Sequence, residues 1–141
     1  MKHIYHILTI LFIIKQIQWI INPRYYLNKF DDINRMKEMN KNDIIGIITH
    51  FFPLLLSAII SLIWVVIGFF TFNWFVFLLF TIYNYAFIHP LSKKLKGTEN
   101  MIYLYRFSSI IGLSVSIFIL LNSYYLKIDV YELFLNLFTS F

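Results

Sequence analysis

Residues 44–90 read IIGIITHFFPLLLSAIISLIWVVIGFFTFNWFVFLLFTIYNYAFIHP, and they decide the fold class. No Asp, Glu, Lys or Arg occurs in this stretch, and polarity rises at its middle only as far as Thr71 and Asn73. Two apolar helices, over 44–70 and 72–89, joined by so short and uncharged a turn must form an antiparallel hairpin. As one straight helix the first would run roughly 40 Å at 1.5 Å per residue. That exceeds a hydrocarbon layer of ~30 Å. Pro53 resolves the excess: either the helix kinks there, or residues 44–52 lie in the interface and the span starts at Pro53. Pro90 ends the second helix.

Downstream, Lys93, Lys94 and Lys96 make a short basic loop with Gly97 as its turn residue. A third span over 101–125, rich in Ile, Leu and Ser, follows it. The tail, 126–141, sets Asp129, Glu132 and Asn136 on one helical face, as suits a helix on a membrane surface or against a partner subunit. Upstream, 24–43 is the one long polar stretch. Leu27, Phe30 and Ile33 recur every third residue and Asp31 and Arg35 form an i,i+4 pair, which predicts a short surface helix. Residues 3–21 are long enough to be a fourth, N-terminal span, although Lys15, Gln16 and Gln18 weaken it. An interfacial or re-entrant helix is the alternative. Asn22-Pro23 stops this helix, and no small-residue cleavage site marks it as a signal peptide.

Composition agrees. Hydrophobic residues make up 60% of the 141 and charged residues 13%, roughly half the charge of a soluble domain. A small soluble fold could not bury so much apolar surface. The expected class is therefore all-α, an integral membrane helical bundle of three core spans with an N-terminal fourth, a surface helix and an amphipathic tail, all in one domain. The absence of cysteine excludes disulfides, thiolate nucleophiles and Cys-based metal sites. The net charge of +5 comes without a long basic run, so it speaks for orientation in a bilayer and against nucleic acid. Both basic loops, Arg24–Lys41 and Lys93–Lys96, should share the cytoplasmic or matrix side, with both termini opposite if the first segment spans. Phe, Tyr, Met, Ile, Asn and Lys supply more than half the chain while Ala occurs only at Ala58 and Ala86. That bias suits an A/T-rich genome: a bacterial cytoplasmic membrane, with the chain encoded by the bacterium or its phage, or alternatively a mitochondrial inner membrane.

Small and polar residues inside the spans are the candidate functional positions. His50, Pro53, Ser57, Ser61, Trp64 and Gly68 fall within about 80° of arc, and Tyr105, Ser109, Gly112, Ser116 and Ser123 within about 60°. Small residues on one face let helices approach closely in lipid, so close packing is the first reading of His50, Ser57, Ser61, Gly68, Ser109, Gly112 and Ser116. A serine-lined polar path is the alternative. Lys15, roughly 10 Å deep, can snorkel to the surface and is expected as an interfacial anchor, with a functional lysine facing the bundle as the alternative. Trp19 and Arg106 are expected as anchors too, with phospholipid headgroup binding as the alternative for Arg106. His50 is expected to bond a neighbouring carbonyl; a gating or proton-relay role is the sharper alternative. His6, Thr9 and Gln16 share one helix face, and Thr81 and Asn84 another, as interhelical hydrogen-bond positions.

No His lies at metal-ligand spacing from an acid, and the seven acids all fall in loops or the tail. A proton-coupled transporter usually needs a carboxylate inside a span. The reading is a non-enzymatic multi-pass protein with no cofactor, acting as a subunit or accessory of a membrane complex through a protein partner or homo-oligomer. An oligomeric, holin-like pore is the alternative, and a small four-helix transporter comes after it.

Overall fold

In the computed structural model, residues 2–28, 44–96 and 99–139 are described, and of these the side chains of 2–3, 44–51, 53 and 54 are left aside. The surface helix expected over 24–43 therefore lies mostly outside the described residues. The side chains of His50 and Pro53 do so as well. The described residues are all-helical, without a strand.

Five principal helices follow in order. α1 is Lys2–Ile21 and α2 is Ile44–Phe69. α3 runs from Trp74 to Lys94 and α4 from Asn100 to Leu126. α5 is Val130–Thr139. Among the described residues, three stretches are long and apolar enough to cross a membrane: Ile4–Ile21, Trp74–Lys94 and Asn100–Leu126. The described apolar run of α2, Leu55–Phe69, is shorter. The emphasis of the sequence reading thus shifts, since the doubtful first segment is among the three.

α1 explains why. Tyr5, Thr9, Phe12, Gln16 and Trp19 are buried, at alternating spacings of four and three, while Ile4, Ile7, Leu11, Ile14 and Ile21 are exposed. Of the polar residues that weaken the segment, Gln16 is buried and Lys15 half-buried, while Gln18 is exposed near the end of the helix. The helix ends where expected. Asn22 N–H closes the last bond to Gln18 O at 2.9 Å, and its side-chain Oδ1 accepts from Tyr25 N–H at 3.4 Å. Asn22 thereby caps a new helical turn over 23–28 that starts on Pro23, as an N-cap followed by proline at the first helical position should.

Pro90 does not end α3, contrary to expectation. A π-helical turn, Asn84–Ile88, widens the backbone just before it, and the helix continues through His89–Lys94. Such a turn relieves the clash of a proline ring with the preceding turn. Asn84 Nδ2 stays within the helix, donating to Phe80 O at 2.8 Å, and Thr81 is exposed. Neither makes the expected interhelical bond. α4 closes with a second π turn, Asn122–Leu126, and Lys127 adopts a left-handed conformation (φ 49°) that turns the chain. Asp129 Oδ1 then accepts from Tyr131 N–H and Glu132 N–H, at 3.0 and 3.2 Å, and caps α5.

α1 is the hub. It packs against both α4 and α2, while α2 and α3 form the hairpin and α5 rests on the start of α3. The core is aromatic: Trp64 and Phe77 are wholly buried beside Tyr5, Phe12 and Ile119. Phe12 stacks on Trp64 with ring centroids 4.0 Å apart, and Phe77 meets Trp64 edge-on at 4.7 Å. At Gly68 an added Cβ would stand 2.3 Å from the Phe77 ring, so glycine there sets how closely α2 and α3 approach.

Candidate functional site

The polar side chains of the long helices converge on a seam around α1. Near its centre, Lys15 Nζ donates to Ser57 O at 3.3 Å and to Ser61 Oγ, while Ser61 Oγ itself donates to Ser57 O at 2.8 Å. The ammonium also lies 5.7 Å from the centroid of the Phe12 ring. Lys15 was expected to reach outward as an interfacial anchor. The structure corrects this: the side chain turns inward, because two serines one helical turn apart offer a hydroxyl and a carbonyl within reach.

The next residue, Gln16, is buried against α4, where an added Cβ at Gly112 would stand 3.0 Å from its amide carbon. Ser109 and Ser116 lie on the same buried face, and Ser116 Oγ is satisfied by Gly112 O at 2.7 Å. Toward the N-terminus, Trp64 Nε1 donates to Thr9 Oγ1 at 3.0 Å, and Thr9 Oγ1 donates to Tyr5 O at 2.8 Å. The two small-residue stripes thus meet different partners. Ser57 and Ser61 face Lys15, Gly68 faces Phe77, and Gly112 faces Gln16. Thr9 and Gln16 take the inward positions expected of them, whereas His6 is half-exposed and pairs with Tyr124 Oη at 3.1 Å.

A second polar group escaped sequence reasoning. Asn73, in the uncharged turn, and Asn122, at the end of α4, are almost fully buried. Asn122 Nδ2 donates to Asn73 Oδ1 at 2.6 Å and to Ile128 O at 2.9 Å, and Asn122 Oδ1 accepts from Ile128 N–H at 2.8 Å. Asn73 Nδ2 donates to Ser123 Oγ at 3.0 Å. This clamp ties the hairpin, the end of α4 and the turn into α5 together. Its one sequence signal is a pair of amide side chains at helix ends on the side without basic loops. Beside it the Tyr5 hydroxyl is enclosed without a hydrogen-bond partner among the described residues.

At the opposite end, Trp19 is stacked between Tyr26 (4.7 Å) and Tyr105 (5.1 Å). Expected as a belt residue, it is instead a buried aromatic joint between α1 and α4. Arg106 is exposed.

Chemically, the seam is built from hydroxyls, amides and one ammonium that bond one another and nearby carbonyls. Among the described residues, no cluster of three His, Asp or Glu could hold a metal. Compared with family models, curated proteins and solved structures, the chain matches none.

Proposed function

We propose that this chain is a four-span integral membrane protein acting without catalysis as a subunit or accessory of a membrane complex, with both basic loops on the cytoplasmic side. The observation that carries the membrane reading is the inverted distribution on α1 and α4. Thr9, Gln16, Ser109, Ser116 and Asn122 are buried, while Ile4, Ile7, Ile14, Phe107, Ile110 and Ile117 are exposed. In water that arrangement would be strongly unfavourable. In lipid it turns these polar side chains toward the neighbouring helices and leaves aliphatic surface to acyl chains.

The burial of Ser109 and Ser116 against α1 favours packing over a serine-lined pore through a single chain. Support for a partner comes from α3. Its first turn is buried through Phe75 and Phe77, but from Thr81 onward Ile82, Tyr85, Phe87 and Leu91 are exposed. A photo-crosslinker at Tyr85, followed by purification in mild detergent, tests the reading. A stoichiometric crosslinked partner or a second copy of the chain is expected. A monodisperse monomer without crosslinked protein would contradict it.

A further inference from the structure

Where α1 ends and α4 begins, on the side of Lys93, Lys94 and Lys96, the chain encloses a cleft of about 320 Å³. Asn22 and Arg24 line it from the first polypeptide turn, and Glu99, Tyr103 and Arg106 from the start of α4, with Ile21 and Ile102 completing it. Two arginines more than eighty positions apart in sequence therefore share one concavity. Both are solvent-exposed, so a ligand can reach them without rearrangement. The cleft adjoins the Trp19–Tyr105 stack, an aromatic group at the level where helices leave the hydrocarbon.

The lining carries two positive charges and one negative, a net +1 that complements a single phosphodiester. Guanidinium forks match phosphate oxygens in geometry as well as charge. The Glu99 carboxylate, which an isolated phosphate would avoid, can accept from a donor group next to the phosphate. Ile17 and Ile21 on α1 and Phe107 and Ile110 on α4 are exposed, surface of the kind acyl chains cover.

We propose that this cleft holds the headgroup of a glycerophospholipid, its phosphodiester between Arg24 and Arg106 and its hydroxyl or ammonium group toward Glu99. The assignment rests on the membrane reading above. It is tested by native mass spectrometry of the full chain in mild detergent with added phosphatidylglycerol, which the unsubstituted protein retains. Each basic residue near an anionic surface contributes roughly fivefold to binding, so R24Q/R106Q should weaken retention about twenty-five-fold and each single variant about fivefold. K93Q/K94Q, which removes equal charge outside the cleft, should leave it unchanged. Full retention by a monodisperse R24Q/R106Q protein, or an equal loss in K93Q/K94Q, overturns the site. Displacement of the lipid by equimolar inorganic phosphate overturns the lipid assignment. Failure of the unsubstituted chain to fractionate with membranes would instead remove the reading beneath it.

Discussion

Lys15 is an ammonium whose bonding partners are dipoles: the Ser61 hydroxyl and the Ser57 carbonyl. A charge at this depth costs several kcal/mol of desolvation, and neutral acceptors offset only part of that cost. Replacing the charge by an apolar chain of similar length should therefore help the fold. Lys15→Met is expected to raise thermal stability in detergent, by about 1–3 kcal/mol. Ser61→Ala should lower it by roughly 1 kcal/mol while Lys15 is present, and have little effect in the Lys15→Met background. An unchanged Ser61→Ala effect in both backgrounds would contradict the inward geometry. The sequence singled out Lys15, Ser57 and Ser61 but did not pair them, because nothing in helical spacing says which faces of two separate segments meet. The Asn73–Asn122 clamp was illegible for a related reason. Each asparagine alone reads as an ordinary helix-end residue, and only the tertiary arrangement makes them a buried pair.

At the scale of elements, the hairpin and the inward stripes were legible in the sequence, while the path of α3 past Pro90 was not. Proline rules describe an α-helix, and the π turn at Asn84–Ile88 changes the geometry to which they apply. The closeness of α2 and α3 depends on Gly68 beneath the fully buried Phe77 ring. Gly68→Ala should destabilise the bundle by about 1–3 kcal/mol through overpacking, and adding Phe77→Leu should recover part of the loss. Equal stability of Gly68→Ala and the unsubstituted chain in a detergent melt would show that the hairpin is looser than described. α5 is held by aromatic contacts, with Phe134 5.2 Å from Phe75 and Tyr131 5.3 Å from Trp74. The amphipathic pattern of the tail predicted a helix; its seat on α3 required the folded chain.

Across the described residues, the arginine-lined cleft and the clamp occupy opposite ends. Arg24, Glu99 and Arg106 gather at one end, and Asn73, Asn122 and the start of α5 at the other. An up-and-down path through α1, α2, α3 and α4 produces this separation only if α1 runs the full depth of the bundle. Its contacts from Tyr5, beside Phe77, to Trp19, beside Tyr105, indicate that it does. The central claim is therefore that α1 is a span and the packing hub, not a surface helix. Because the chain has no cysteine, single cysteines can report sidedness directly. A cysteine inserted ahead of Lys2 and one at Phe72→Cys should both react with a membrane-impermeant maleimide on intact cells, while Asn100→Cys should react only after permeabilisation. Protection of the N-terminal cysteine, with Phe72→Cys still labelled, would contradict the account.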